Sequence, residues 1–171
     1  MLWASAKSVR EERSKHRFAL QDFSLVRASL VRGKGGWRIT GTEPVVNFYY
    51  RAEKRDSRAL LRDTTRLLQR FLQGETPVPT LFDDVVGTLR AEITQEFSQE
   101  SLRYPRSEQT SHVHTILTLR MLHTLGYVSP SHACRPLIEA KTTLAACSLL
   151  TDRGRRESER AIHEAQSVSH L

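Results

Sequence analysis

The residues whose types could do chemistry are basic and aromatic, and they concentrate near the start of the chain. From Met1 to Glu43 there are nine Lys or Arg residues against four acidic ones, a net charge of +5 out of +7 for the whole chain. Lysine and arginine neutralise phosphates, and exposed aromatic rings stack on unpaired bases. The pattern predicts a DNA-binding surface formed by Lys7, Arg10, Arg13, Lys15, Arg17, Arg32, Lys34, Trp37 and Arg38.

Two alternatives to this surface stay open. The charges could form an ordinary solvated face without a ligand. The aromatic candidates for base stacking are Trp37 and Phe18, but we expect Phe18 and Phe23 to pack in the core, and Trp37 could do either.

No residues are arranged as a catalytic centre. The pairs Asp83-Asp84 and Glu92-Glu96 fall on the polar faces of predicted helices, where carboxylates are usually solvated. Neither Cys134 nor Cys147 has a neighbouring sequence that would activate a thiol. We therefore expect a non-catalytic protein with reduced, buried or half-buried cysteines.

Metal and nucleotide sites are also not expected. His112 and His114 are two residues apart, so on a helix their side chains diverge. The run from Gly33 to Gly36 lacks the spacing of a phosphate-binding loop, and Trp37 with a strand follows it. No cofactor is predicted, and the glycine run is interpreted as a hairpin turn that offers Lys34 to a phosphate.

The elements that must position the basic residues are strands. Residues 17–50 contain β-forming runs, and the glycine-rich stretch from Arg32 to Gly36 between two of them predicts a hairpin, because glycine supplies the positive φ of tight turns. The run from Val45 to Tyr50 is either a last strand or the start of a helix.

After Tyr50 the hydrophobic period changes to about 3.6, which is typical of helices. Helices are predicted around 60–72, ended by Gly74, from the residue after Pro79 to Phe97, and from about Thr110 to Leu125, ended by Gly126. A weaker helix is predicted over 137–150, and a polar one over 152–166 that packs with a narrow face or not at all. No run of about 18 apolar residues exists, so we expect a cytoplasmic protein without a membrane partner.

Short motifs along this order of elements resemble the RecO family of DNA repair proteins. Residues 4–15 resemble the basic, small-residue "A-K-G-x-R-x-x-x-S" segment that ends a strand of the family's N-terminal OB-fold. Leu20-Gln21-Asp22-Phe23 is similar to the "L-Q-x-F" turn after it, with Asp22 where proline is common. Residues 119–127 resemble the family's "L-x-x-L-G-Y" helix end.

The resemblance implies an α+β fold, with an incomplete N-terminal OB-fold β-barrel in residues 1–52 and an α-helical domain in residues 53–171. RecO chains begin with about two more strands, so the barrel cannot close as written. Many members carry a zinc module of four cysteines, which Cys134 and Cys147 cannot supply. The likeness is therefore to a short, zinc-free and N-terminally truncated branch.

The function implied by the resemblance is recombination mediation in bacterial DNA repair, at the nucleoid. Such a protein binds single- and double-stranded DNA, anneals strands, and works with RecR to load RecA at gaps. A helical groove at Leu117, Arg120 and Met121 would receive the acidic C-terminal tail of single-strand-binding protein. The alternative is a helical protein-interaction module without significant DNA binding.

Overall fold

The computed structural model describes residues 4–6, 9, 14, 16–72, 77–94 and 106–168. Within these residues the protein is α+β, with one small sheet followed by helices. The strands are β1 (Ala4–Ser5), β2 (Ser24–Gly33) and β3 (Gly36–Asn47). Their order is β1-β3-β2, with β1 parallel and β2 antiparallel to β3.

The predicted hairpin is confirmed, since β2 and β3 pair along their length and Gly33 lies opposite Gly36. Gly36 has φ of +103°, a conformation that glycine adopts without the steric cost of a Cβ atom. The run from Val45 to Tyr50 was predicted as a last strand or the start of a helix, and each applies to part of it. It completes β3 and then enters the short helix α1 (Phe48–Arg51), where the Asn47 side chain accepts a hydrogen bond from the Tyr50 N–H.

A closed OB-fold barrel is not what the described residues form. Their sheet has three strands and is open, with β1 at one edge and β2 at the other. The coarser expectation, an α+β chain with strands before helices, is confirmed. Closure requires every strand to have two neighbours, and here only β3 has two.

The helices follow the predicted pattern with shifted ends. Pro79 begins its helix, because proline suits the first turn, and Gly126 with φ of +82° follows the end of another. The single weak helix predicted over 137–150 is two short ones, and Thr142 caps the second by accepting from the Ala145 N–H. Gly74 and Phe97 lie outside the described residues. The bounds are α2 (Arg55–Phe71), α3 (Pro79–Thr94), α4 (Arg106–Thr124), α5 (Arg135–Glu139), α6 (Thr143–Cys147) and α7 (Asp152–Val168).

Helix α4 lies at the centre and packs on two sides. Val113 and Leu117 belong to a core formed with Phe48, α2 and α3, while Ile116 and Leu119 belong to a second core that contains residues of α5, α6 and α7. Each fully buried aliphatic side chain of this kind contributes roughly 1.5–3 kcal/mol relative to exposure. The base of the hairpin is fixed by the first core, against which Phe23, Leu25 and Val46 pack.

Helix α7 packs against the protein through a narrow face, which was one of the two predicted possibilities. Its buried residues Gly154, Ser158 and Ala165 are all small. A Cβ atom on Gly154 would lie 3.3 Å from the Ala133 carbonyl oxygen, so the helix approaches its neighbour closely at this point.

Candidate nucleic-acid interface

The outer part of the hairpin projects into solvent. Ser24, Leu25 and Val26 of β2 are half-buried, whereas all seven residues from Arg27 to Gly33 are exposed. At about 3.3 Å per residue, a strand of this length extends the hairpin by roughly 20–30 Å from the helices. The hairpin is therefore positioned at its base and accessible over most of its length.

The last turn of this hairpin, residues 31–38, carries three cations and is called the basic tip below. Arg32 lies directly opposite Trp37, and its guanidinium carbon is 5.7 Å from the centre of the Trp37 ring. Arg38 lies opposite Val31 on the other face of the hairpin, since successive side chains alternate between faces. Lys34 is exposed in the turn. The cations thus surround the tip.

Few acidic groups neutralise this surface. Residues 24–47 hold four basic side chains and one acidic one, Glu43. Glu43 pairs with Arg27 at 2.7 Å, and both side chains are largely exposed. Among the described residues, no carboxylate forms an ion pair with Arg32, Lys34 or Arg38. The basic tip is the part of the hairpin whose charge is available to a polyanion.

Four predicted DNA-binding residues, Lys7, Arg10, Arg13 and Lys15, lie outside the described residues. Arg17 is exposed in a turn of residues 16–19. This turn is attached to the sheet by His16, whose Nδ1 shares a hydrogen bond of 2.9 Å with the Thr42 hydroxyl. Because Thr42 lies opposite Ala28, Arg17 is beside the middle of the hairpin, while Arg32, Lys34, Trp37 and Arg38 are grouped at the tip.

The two aromatic candidates for stacking differ from each other. Phe18 is 77% exposed, so the expectation that it packs in the core is wrong. Trp37 is half-buried, with Arg32 over its ring. Phe23 packs against the helical core as expected.

The helical groove predicted at Leu117, Arg120 and Met121 is not an open surface, which corrects that expectation. Leu117 and Met121 are 1% and 2% exposed, and both belong to the first core. The Arg120 side chain is 12% exposed, and its Nε donates to the Asp84 carboxylate at 2.6 Å. Its Nη1 donates to the backbone carbonyls of residues 137, 138 and 140.

Asp84 completes this internal network. Its carboxylate also accepts hydrogen bonds from the Thr143 backbone N–H at 3.0 Å and from the Thr143 hydroxyl at 3.1 Å. The pair therefore connects α3 and α4 to α5 and α6. Arg120 has its charge satisfied inside the protein and does not offer it to an acidic peptide.

The thiol and imidazole groups have the environments of structural residues. Burial, and after it the charge of Glu92, raises the pKa of the Cys147 thiol to about 12, so the thiol is protonated at neutral pH. Cys134 is buried, with its Sγ 3.5 Å from the Ser158 hydroxyl. Burial lowers the pKa of His114, against the opposing effect of Asp63. Within the described residues, no three His, Cys, Asp or Glu side chains come together as metal ligands would.

One feature of the surface was not predicted. Tyr49 and Tyr50 are exposed at the base of the hairpin, beside Phe23. The sequence signal was the aromatic run from Phe48 to Tyr50, which was interpreted only as a strand end or helix start. Of the three rings, Phe48 is the buried one.

Comparisons with known proteins identify no relative of this chain. No protein family model, no curated protein and no solved structure matches the chain. Among the residues that the structure describes, no helix is long and apolar enough to span a membrane. What the fold itself defines is an α+β protein whose small open sheet extends a basic hairpin from a helical body.

Proposed function

We propose that the protein binds DNA through the basic tip and acts as a recombination mediator of the RecO type. The observation that carries the DNA-binding part is the exposed tip with three cations, Arg32, Lys34 and Arg38, none of which has a carboxylate partner among the described residues. Each such cation can neutralise a phosphate and release a counterion. The mediator role is supported by the sequence resemblance to RecO. In that resemblance, the open sheet corresponds to the later strands of an OB-fold.

The shape of the tip supports contact with more than one phosphate row. Arg32 and Arg38 lie on opposite faces of the hairpin. A DNA strand on either side of the tip can therefore contact a cation. A two-stranded β-ribbon also fits the major groove of duplex DNA. Both single- and double-stranded DNA are therefore proposed as ligands.

The decisive experiment measures binding to a single-stranded oligonucleotide across a salt series. The variant R32A/K34A/R38A is compared with R135A/K141A/R156A, which removes the same residue types from exposed positions of the helical body. We expect the tip variant alone to lose affinity, and its log–log salt slope to become shallower by about 2, since each phosphate contact on a single strand contributes roughly −0.7. Equal slopes in the two variants would show that the tip is not the DNA site.

The mediator role has its own test, which is strand annealing. Complementary oligonucleotides are mixed with the protein, and duplex formation is followed by fluorescence. Acceleration that requires the basic tip is the expected result. Binding without acceleration would leave a DNA-binding protein and remove the mediator role.

RecR and the acidic tail of single-strand-binding protein are proposed partners from the same resemblance. The tail is not assigned to Leu117, Arg120 and Met121, because these residues lie inside the protein. Binding of a labelled tail peptide to the whole chain tests the proposal directly, with a scrambled acidic peptide as control. Equal binding of the two peptides would argue against a specific tail site.

A further inference from the structure

A cleft of about 380 Å³ opens at the base of the hairpin, well away from the basic tip. This volume is within the range of roughly 300–1,000 Å³ that is typical of small-molecule sites. Three aromatic rings and three polar side chains form its walls. They are Gln21, Asp22, Phe23, Asn47, Tyr49 and Tyr50.

The aromatic rings of this cleft differ in what already covers them. Phe23 stacks on Tyr49 with ring centres 6.0 Å apart and planes inclined by 16°. The guanidinium of Arg58 lies 5.1 Å from the centre of the same Tyr49 ring. Tyr50 is 70% exposed and meets Tyr49 at 78°, and no other described ring stacks on it. Tyr50 is thus the ring that offers its surface to a ligand.

Asn47 builds the cleft by holding both of its walls. Its Nδ2 donates to the Asp22 carbonyl at 3.3 Å and to the Ser24 hydroxyl at 2.9 Å, while its Oδ1 accepts from the Tyr50 N–H. The backbone of Phe23 has φ of +61°, which is uncommon for a bulky residue, and its carbonyl accepts from the Phe48 N–H. The backbone that carries the aromatic rings is therefore held in place without a ligand.

The polar side chains favour a flat ligand that carries hydrogen-bond donors. Asp22 and Gln21 are exposed at the cleft, and an ionised carboxylate only accepts hydrogen bonds. The neighbouring Arg58 already lies over Tyr49, and Arg51 is exposed at the end of α1. The positive charge of Arg58 beside the cleft favours a ligand that brings a phosphate over a cationic one.

We propose that this cleft binds one unpaired nucleobase, stacked on Tyr50, with an exocyclic amino group donating to Asp22. The inference rests on the proposed DNA binding and makes it more specific. The basic tip would hold phosphates and supply the salt-dependent part of the affinity. The cleft would hold a base and supply a part that depends little on salt and prefers amino-bearing bases over thymine.

The test compares an ordinary oligonucleotide with one of equal length that has abasic sugars. We expect the wild-type protein to prefer the ordinary strand by about ten-fold, which is the usual effect of one stacked base. Tyr50→Ala should abolish most of this preference without changing the salt slope, and Tyr50→Phe should keep it. Phe82→Ala removes another exposed aromatic ring, from α3, and should change nothing. A preference that survives Tyr50→Ala would overturn the proposal.

A second measurement separates this proposal from DNA binding itself. Cytidine and a peptide that contains trimethyllysine are titrated separately into the whole chain, and binding is followed by NMR. Cytidine binding that requires Tyr50 supports the cleft even if oligonucleotides do not bind, in which case the proposed function fails alone. If oligonucleotides bind independently of Tyr50 and cytidine does not bind, the proposal for the cleft fails and DNA binding stands. Binding of the methylated peptide in place of cytidine would show that the cleft takes cations, which also overturns the proposal.

Discussion

The hairpin of residues 24–47 and the last helix, α7, carry four basic side chains each, yet their surfaces differ. In α7 four acidic residues accompany the basic ones, and Arg153, Arg155 and Arg160 each pair with the glutamate four positions later. Among the residues that the structure describes, Arg27 is the only hairpin cation with an acidic partner, Glu43 on the opposite strand. A helix brings residues i and i+4 together, whereas a strand sends neighbours to opposite faces. The number of cations is therefore a poor guide to a polyanion surface, and their pairing is a better one.

The largest effect is expected where a cation lies inside the helical body. Arg120→Ala should lower the free energy of unfolding by about 3–5 kcal/mol, because it leaves the Asp84 carboxylate buried without its counter-charge. Urea denaturation measures the loss. Arg38→Ala, on the exposed tip, is the control and should change stability by no more than about 0.5 kcal/mol. Similar stability of the two variants would contradict the distinction between internal and available cations.

Removing the acidic partners of the α7 arginines should give this helix unpaired cations like those of the basic tip. The variant E157Q/E159Q/E164Q frees three arginines, and the salt slope for single-stranded DNA should steepen by up to about 2. The variant E53Q/D56N/D83N makes the same change in net charge at exposed acids for which the structure shows no ion pair. If both variants gain affinity equally, net charge alone explains DNA binding, and the pairing of cations with acidic residues does not matter for it.

The smallest effect concerns pH. Since the pKa of Cys147 rises from 9.0 to about 12 on folding, the folded protein keeps the thiol proton that the unfolded chain loses. The contribution to stability is complete below about pH 9 and declines as pH rises towards 12, by about 1 kcal/mol between pH 8 and pH 10. Urea denaturation at the two pH values should show a smaller decline in Cys147→Ala. An identical decline in both proteins would refute the assignment to Cys147.

The elements were predictable where the signal is local. The glycines between Arg32 and Trp37 indicated the hairpin turn, and Pro79 and Gly126 marked helix ends, because backbone preference acts within a few residues. The division of the weak helix into α5 and α6 was missed, since apolar spacing continues across the break at residues 140–142.

The site was predictable only in part. The basic residues of the hairpin were identified from charge alone, and their exposure agrees with a surface role. Arg120 was misjudged because its partner, Asp84, is 36 positions away along the chain and no sequence spacing relates them. Tyr49 and Tyr50 were missed because their exposure depends on Asn47 reaching back to Asp22 and Ser24.

The sequence by itself determined the hairpin, the amphipathic helices and the excess of positive charge in the first third of the chain. These follow from local backbone preference, hydrophobic period and composition, which need no partner elsewhere. Only the tertiary structure decided which cations are available, which aromatic rings are exposed and that the sheet of the described residues is open. Each of these depends on contacts between residues far apart in the chain, and such contacts exist only once the core around α4 has formed.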